Sequence, residues 1–472
     1  MEIYMLAILI YAVNITVGYL LDKYLRIPWM ITAVLLGMTL SSFGLFSDVI
    51  RSTEFQVLSK MGLLFFLFTI GIEIEVEQLR KLGHYITVGF VLLTLTEGLL
   101  LAMFFYFAHP GGVADVRFIK TQPVAPSSIQ MKSGAVTPRA LTREEIEELV
   151  DKFGKAALRA KKAGFDMVEI QAGHGLLINQ FLSPLYNKRK DEFGGSLDGR
   201  VRFLEMIVEK IRDYAGKSFP ISVRLGVEEF EEGGIKIEEG RQIAKKLSDA
   251  GVDAIHVTLG GTSMEKRLEP MPYPQGWRVY LAEEIKKVVD VPVIAVGVIR
   301  EPWFAEKILQ EGKADFIALG RALIADPQWP KKALMGEEKA IRRCVSCNEC
   351  VRARHFEDLP IRCSFNPTIG VGKELATIKR AKHRKKVMIV GAGPAGMEAA
   401  RVAALRGHDV YIFDKEDQIG GTLNIAAVVP GKDKLRWIVE YYAYTLPKLG
   451  VHIQLGEFVD KQKKSKPSVQ TS

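Results

Sequence analysis

The chain has 472 residues, of which 48% are hydrophobic, 25% charged and 9% aromatic. This composition excludes a disordered tail and a small disulfide scaffold, and the length predicts about two to four domains. The formal net charge is +9, but the basic excess lies after residue 112 and ends in a lysine run within residues 461–472. We interpret that run as a solvated basic tail, so no nucleic-acid partner is expected.

Four apolar stretches occupy the first quarter of the chain, and each is close to the ~20 residues that cross a bilayer core. They run from about Met5 to Leu21, Ile27 to Phe46, Phe55 to Ile72 and Tyr85 to Phe107. A signal peptide is not expected, since a basic leader and a small-residue cleavage site are both missing. Residues 1–108 are therefore predicted to form transmembrane helices in contact with membrane lipid.

Residues 26–46 and 62–73 resemble the opening helices of monovalent cation:proton antiporters. The ion-binding carboxylates of that family lie on later helices, so no transport site is assigned here. Lys60 and Glu97 lie inside the apolar stretches, either as a snorkelling lysine and a helix-facing glutamate or as functional charges. Basic residues beside the first and third loops would place both chain ends outside, yet the cysteines further on require reducing conditions. We expect a multi-pass membrane protein with its redox part on the cytoplasmic side.

A connector at residues 109–138 precedes a region, residues 139–340, in which strand and helix patterns alternate. Thr142 and Glu145 form a capping-box signature that opens the first helix, and Gly164 closes it. Five β-branched runs follow, at about Met167–Gln171, Ile221–Leu225, Ala254–Leu259, Val293–Val298 and Phe316–Gly320. Chemically active side chains come directly after these runs, which predicts a parallel α/β unit of the (β/α)8 barrel type.

Three motifs in this region carry a specific resemblance. They read VEIQAGHG at residues 168–175, INQFLSP at residues 178–184 and NKRKDEFGGS at residues 187–196. Together with Arg224 and the Gly320–Arg321 pair, they resemble the old yellow enzyme family, especially its long members, the dienoyl-CoA reductases, NADH oxidases and trimethylamine dehydrogenases. The resemblance runs from about residue 123 to residue 332 and implies an FMN-binding TIM barrel that lacks the first three strands.

The resemblance also implies roles for individual residues. The FMN-contacting positions are Arg224, Gly297, Gly320 and Arg321. His174 stands where the family polarises a substrate carbonyl, with Gln171 beside it at a position where many relatives carry His or Tyr. Leu176 stands where many relatives carry a proton-donating Tyr, so the proton must come from water or another group. The alternatives are a buried ion pair for Arg224 and a packing role for His174.

All four cysteines lie in one segment, residues 341–375, with the spacing C-x2-C-x2-C-x12-C. A close trio with one distant thiolate favours a [4Fe–4S] cluster, and zinc is the alternative. The spacing resembles that of the trimethylamine dehydrogenase branch. The predicted ligands are Cys344, Cys347, Cys350 and Cys363.

Residues 384–460 read as a partial dinucleotide-binding βαβ domain. A strand runs into a helix through G-x-G-x-x-G at Gly391, Gly393 and Gly396, and Asp414 follows the second strand at the distance typical of a ribose-binding acid. Gly421 belongs to a segment that resembles a later flavoprotein loop. Family position favours FAD over ADP or NAD.

These observations predict a flavin- and iron–sulfur-dependent oxidoreductase. Electrons from NAD(P)H would pass from FAD through the cluster to FMN, and then to an enoyl, quinone-like or other small-molecule acceptor. Compared with the long family members, the chain is expected to lack a completed NAD(P)H domain. The alternatives are a fragment of a sodium/proton antiporter and a non-functional product of fused genes. An oligomer is possible.

Overall fold

The computed structural model describes residues 111–114, 121–132 and 136–459. The strands are β1 (Val124–Ala125), β2 (Arg139–Ala140), β3 (Val168–Ala172), β4 (Ile221–Gly226), β5 (Ala254–Thr258), β6 (Val293–Ala295), β7 (Phe316–Ile317), β8 (Lys386–Val390), β9 (Asp409–Phe413) and β10 (His452–Gln454). The first helices are α1 (Arg143–Lys162), α2 (Leu177–Leu182), α3 (Leu197–Ala215), α4 (Ile237–Asp249), α5 (Met264–Leu268), α6 (Val279–Lys286) and α7 (Pro302–Gln310). The remaining ones are α8 (Arg321–Ala325), α9 (Trp329–Leu334), α10 (Glu349–Val351), α11 (Gly372–Ala376), α12 (Pro394–Leu405), α13 (Thr422–Ala426) and α14 (Arg436–Lys448).

Helix α1 begins with the predicted capping box. The Glu145 N–H donates to the Thr142 hydroxyl at 3.3 Å, and the Thr142 N–H donates to the Glu145 carboxylate at 2.9 Å. The helix ends at Lys162, and Gly164 follows with φ +87°, a conformation that glycine adopts without strain. Both predicted ends of this helix are confirmed within two residues.

Strands β3 to β7 form one parallel sheet in chain order. On one face, Ile170, Val223 and Ile255 belong to a buried apolar core. Because side chains alternate along a strand, the residues between them point to the other face, where Gln171, Arg224 and His256 share one register row. The predicted five βα units are therefore confirmed, and one face of their sheet is polar.

Strands β8 to β10 form a second parallel sheet with the order β10-β9-β8. Val410 and Ile412 of β9 are buried together with Met397 and Ala400 of α12 in a separate apolar core. This packing explains why buried apolar residues recur at helical spacing in α12 and at alternate positions in β9. The predicted βαβ unit is confirmed.

The predicted transmembrane stretches lie outside the described residues. Among the residues that are described, no helix combines the length and the apolar character needed to cross a bilayer. The longest, α1 and α3, have 20 and 19 residues, but both carry ionised side chains along their length, and these are costly in hydrocarbon. On this finding the predicted multi-pass membrane localisation is corrected.

Candidate active site and cofactor cavities

A cavity of about 200 Å³ opens where the strands of the larger sheet end. Loops that follow β3, β5, β6 and β7 contribute to it together with Arg224 of β4, as expected at the carboxyl ends of parallel strands. Five arginines and one glutamate dominate the wall, so the cavity is suited to anions. The charged and polar residues of the wall are His174, Arg224, Arg267, Glu269, Arg278, Arg300, Arg321 and Ser346.

His174 lies directly after β3, in the positive-φ region at φ 60°. Its backbone N–H donates to the Leu259 carbonyl at 2.9 Å, and its Nε2 lies 3.0 Å from the Thr258 hydroxyl. Burial, followed by the charge of Arg224 and of other nearby guanidinium groups, holds the pKa of His174 well below its ordinary value. The imidazole is therefore neutral near pH 7 and keeps one N–H donor.

Gln171 and Arg224 are partners in the β3–β4 register. Gln171 does not line the cavity but is the neighbour of Arg224, which does. The Gln171 Oε1 and Arg224 Nε atoms are buried and have no hydrogen-bond partner within the described residues. Since buried polar groups are nearly always satisfied, this pair of atoms indicates a polar ligand above the sheet. Burial lowers the pKa of Arg224, and the charge of Glu169 opposes that shift.

Glu269 organises the opposite wall of the cavity. Its carboxylate, which is only 3% exposed, accepts from Arg321 at 2.7 Å and from Trp277 at 2.9 Å, and lies 3.1 Å from Arg278 Nε. Arg321 also donates to Asn348 at 2.5 Å. The Arg321 guanidinium, which the sequence suggested for a phosphate, is therefore already paired within the protein.

Gly297 and Gly320 occupy the ends of β6 and β7 for different reasons. A Cβ atom on Gly297 would meet Arg278 Nε at 2.3 Å, so this glycine lets the Arg278 side chain pass. A Cβ on Gly320 would meet no atom within 4 Å in the described structure. Open space in front of the Gly320 backbone is the feature that a ligand phosphate requires.

Arg267, Glu269, Arg278 and Arg300 were not predicted from the sequence. Arg300 is 2% exposed, donates to Ser346 at 2.6 Å and retains a buried Nη1 without a partner in the described residues. Burial lowers the pKa of Arg300 to about 10, and the charge of Cys344 opposes the shift. The position of Arg300 in the sequence could have identified it, because Arg300 follows strand β6 much as Arg321 follows strand β7.

The four cysteines line a second, small cavity of about 20 Å³. Cys344 and Arg321 line both this cavity and the larger one, so the two are neighbours. All four thiols are free, and burial raises the pKa of both Cys350 and Cys363. In the described part of the chain, no three His, Cys, Asp or Glu side chains are drawn together closely enough to hold a metal. The predicted thiol set shares one cavity, and its metal remains a prediction.

A third cavity, of about 580 Å³, lies above the glycine motif and includes Asp414 and Gly421 in its wall. A Cβ on Gly391 or Gly393 would meet nothing within 4 Å, whereas one on Gly396 would meet the Gly391 carbonyl oxygen at 1.9 Å. The first two glycines leave room for a ligand, and the third allows close packing of helix on strand.

Asp414 is held by backbone groups of its own domain. Its carboxylate accepts from the N–H of Ala392 at 2.6 Å and of Glu416 at 3.0 Å. Backbone hydrogen bonding, led by Glu416, lowers the pKa of Asp414 despite its partial burial. The ionised carboxylate therefore braces the glycine loop and retains lone pairs for a ribose hydroxyl.

Comparison with known families decides the classification. The model of the NADH:flavin oxidoreductase / NADH oxidase family matches residues 103–340, which include the five-stranded sheet and most of the residues that line its cavity. The chain belongs to this family. An NAD(P)-binding Rossmann-like domain matches residues 389–461, and a transmembrane sodium/hydrogen exchanger model matches residues 9–121. The resemblances inferred from the motifs are confirmed.

Curated relatives of this NADH:flavin oxidoreductase family member include an NADH oxidase of Thermoanaerobacter brockii, 51% identical over 343 residues that cover 72% of this chain and 53% of the relative. A metal reductase of Desulforamulus reducens is 44% identical, and the match covers 70% of this chain and 49% of the reductase. A cinnamate reductase of Clostridium sporogenes is 41% identical, and the match covers 75% of this chain and 55% of the reductase. The chain spans about half the length of these relatives.

Solved structures agree with this assignment. A 2-naphthoyl-CoA reductase in complex with 2-naphthoyl-CoA has a TM-score of 0.73 and 33% identity, covering 76% of this chain and 57% of the reductase. A histamine dehydrogenase from Rhizobium sp. 4-9 has a TM-score of 0.70 and 30% identity, with 76% and 53% covered. The fold is therefore TIM-barrel-like with a Rossmann-like domain after it. The membrane localisation rests on the exchanger match alone, and no helix among the described residues supports it.

Proposed function

We propose that this chain is a flavin-dependent oxidoreductase that uses NAD(P)H to reduce a small acceptor whose reactive bond is conjugated to a carbonyl group. The observation that carries the proposal is the cationic cavity at the strand ends, with the unsatisfied Arg224 and Gln171 atoms at its edge. Relatives named cinnamate reductase and 2-naphthoyl-CoA reductase support this type of acceptor.

The cavity residues fit FMN. Its phosphate would lie against the backbone at Gly320, where a Cβ would meet only open space. Its ring system would satisfy Arg224 Nε and Gln171 Oε1. When bound, FMN supplies hydride or single-electron transfer, and the protein supplies binding, orientation and electrostatics. Arg224 would place a positive charge beside the flavin ring and so favour its anionic reduced form.

His174 would hold the acceptor. A neutral imidazole keeps an N–H that can donate to a carbonyl oxygen, and Thr258, 3.0 Å from Nε2, fixes the ring orientation. The positive φ of His174 is a strained conformation for a residue that is not glycine, and strain of this kind is frequent at functional sites. Leu176 at the start of α2 offers no proton, so water or another side chain would protonate the product.

The cavity above the glycine motif would hold FAD or a related dinucleotide. Gly391 and Gly393 leave the space that a pyrophosphate needs at the start of α12, and Asp414 is positioned by the same loop. In the proposal this half-site receives reducing equivalents from NAD(P)H. The Rossmann-like match over residues 389–461 supports a nucleotide ligand.

We also propose that the four cysteines bind a [4Fe–4S] cluster that connects the two flavin sites electronically. Four thiols in one cavity provide one sulfur ligand for each iron. Cys344 and Arg321 belong to the walls of both this cavity and the larger one, which makes the two sites adjacent.

Anaerobic purification of the full chain tests these cofactors together. We expect FMN, FAD and about four irons per chain, with broad absorption near ~400 nm. C350S should abolish cluster assembly because one iron loses its sulfur ligand. S364A is the matched control, since the Ser364 hydroxyl lies 3.3 Å from Cys347 Sγ and is not a predicted ligand. Stoichiometric zinc without iron would overturn the cluster, and a chain without flavin would overturn the function.

A further inference from the structure

The residues that line the cationic cavity have two proposed roles. His174 is proposed to hold the acceptor, and the charges of Arg224, Arg267 and Arg278 all act on its imidazole. The open backbone at Gly320 is proposed to receive the FMN phosphate, and Arg321, which follows it, donates to the Leu268 carbonyl at 2.6 Å.

Three of the five guanidinium groups make an ion pair or a hydrogen bond within the described residues, and the Arg224 side chain, which makes neither, is proposed to meet the flavin ring. Glu269 pairs with both Arg278 and Arg321, Arg300 donates to Ser346, and the charge of Glu169 offsets the burial of Arg224. The side chain of Arg267, within the described residues, makes no hydrogen bond or ion pair. Burial lowers the pKa of Arg267, and no acidic group opposes that shift.

A partly buried cation without a partner is costly, and an anionic ligand relieves that cost. A guanidinium matches a carboxylate with two parallel hydrogen bonds. We propose that the acceptor reduced at this site carries a carboxylate group, and that Arg267 binds it beside the carbonyl held by His174. This inference rests on the proposed function and specifies its substrate class as unsaturated organic acids.

The neighbouring Lys266 provides an internal contrast. Its Nζ lies 4.8 Å from the ring centroid of Phe230 and 5.7 Å from that of Trp277, and its side chain is not part of the cavity wall. Both residues belong to the same short helix, α5. Replacing either removes one positive charge, but only Arg267 faces the proposed carboxylate.

The test compares an acid with its neutral amide on the full chain reconstituted with FMN. Trans-cinnamate and trans-cinnamamide are titrated against the wild type, R267Q, R267K and K266Q, and binding is followed through the flavin absorption spectrum. For R267Q we expect the acid to bind roughly 10- to 100-fold more weakly, while the amide changes less than about threefold. R267K should fall between, because lysine keeps the charge and loses the planar fork. K266Q should match the wild type.

Three results would overturn the inference: equal weakening of acid and amide in R267Q, equal weakening of the acid in K266Q and R267Q, or loss of FMN from R267Q. The last would assign Arg267 to the cofactor. A wild type that binds FMN but does not distinguish acid from amide refutes the inference and leaves the proposed function standing. A wild type that binds no FMN refutes the proposed function, and calorimetric titration of cinnamate still decides the role of Arg267.

Discussion

The two parallel sheets of this chain prepare their cavities by different means. The cavity of the five-stranded sheet is lined by charged side chains, several of them buried and two with unsatisfied atoms close to its edge. The cavity above the three-stranded sheet is almost three times as large, about 580 against about 200 Å³, and depends on glycine backbone and open space.

This difference predicts how each site responds to substitution. In the first cavity, specificity resides in side chains, so a replacement alters chemistry while the backbone is maintained by a separate apolar core. In the second, the recognising atoms are backbone N–H groups, so even one added methyl group changes the shape of the site. The predictions below test that contrast, starting with the largest expected effect.

Gly396→Ala adds only one methyl group, but it should be the substitution that most damages the dinucleotide-binding domain. Its Cβ would lie 1.9 Å from the Gly391 carbonyl oxygen, so α12 must move away from β8. We expect dinucleotide binding to be lost and the free energy of unfolding of this domain to fall by about 1–3 kcal/mol or more. Gly393→Ala is the control, because its Cβ meets no atom within 4 Å. That variant should fold normally and still lose the dinucleotide. Normal FAD content in both variants would contradict the backbone account.

Leu176→Tyr should increase the rate of enone reduction at the site on the five-stranded sheet. A phenol at this position could donate the proton that leucine cannot, and a positioned acid is worth about 10²- to 10⁴-fold in rate. We expect faster turnover of simple enones and little change with one-electron acceptors. Leu176→Phe, which adds the ring without the hydroxyl, is the control. Equal rates for Tyr and Phe would indicate that the proton comes from another group.

Arg224→Gln should weaken FMN binding by roughly 10- to 100-fold, because a charge-assisted contact is replaced by a neutral one. Within the described residues, the Arg224 side chain makes no hydrogen bond, so the sheet should remain folded. Arg224→Lys should retain part of the affinity. Fluorescence titration of released and added flavin measures both values, and unchanged FMN affinity in the Gln variant would refute the role.

Replacing Glu229 should have a smaller effect, which is on the pH dependence of folding stability. The side chain is 1% exposed, accepts from Ser183 at 2.7 Å and from the Ile235 N–H at 2.8 Å, and burial raises its pKa to about 7. Since the folded-state pKa lies above the unfolded value, the neutral carboxyl stabilises the fold at low pH, and that stability is lost as pH rises through about 7.

Glu229→Gln should therefore flatten the dependence of stability on pH between about 5 and 8, an effect on the order of 1–3 kcal/mol. The exposed Glu232, replaced by Gln, is the control and should leave the wild-type slope unchanged. Thermal unfolding at a series of pH values measures the difference. Parallel curves for wild type and Glu229→Gln would show that the buried carboxyl does not titrate in this range.

The elements were predictable because their signals are local. The β-branched runs, the capping box at Thr142 and the glycine motif each specify a strand, a helix start or a turn without help from distant residues. His174, Arg224 and Gly320 could be grouped from sequence because the carboxyl ends of parallel strands meet at one edge of a sheet. The four cysteines share a cavity, as their spacing suggested.

The missed residues depend on contacts that no local pattern encodes. Glu269 lies 52 positions from Arg321, and their ion pair exists only because the loop after β5 folds over the end of β7. The sequence suggested Arg321 as a phosphate ligand, and the structure pairs its guanidinium with Glu269 and Asn348. Glycine is needed at position 297 because the Arg278 side chain passes close to its backbone, and the sequence does not reveal this contact.

The flavin content of the full chain tests the central claim most directly. Purified protein is incubated with FMN and FAD, freed of excess cofactor and denatured, and the released flavins are separated and counted. The account predicts about one FMN for each chain, with the FMN lost in Arg224→Gln and the FAD lost in Gly393→Ala. A chain that retains no FMN, or whose FMN content is unaffected by Arg224→Gln, would contradict the assignment of the arginine-lined cavity as a flavin site.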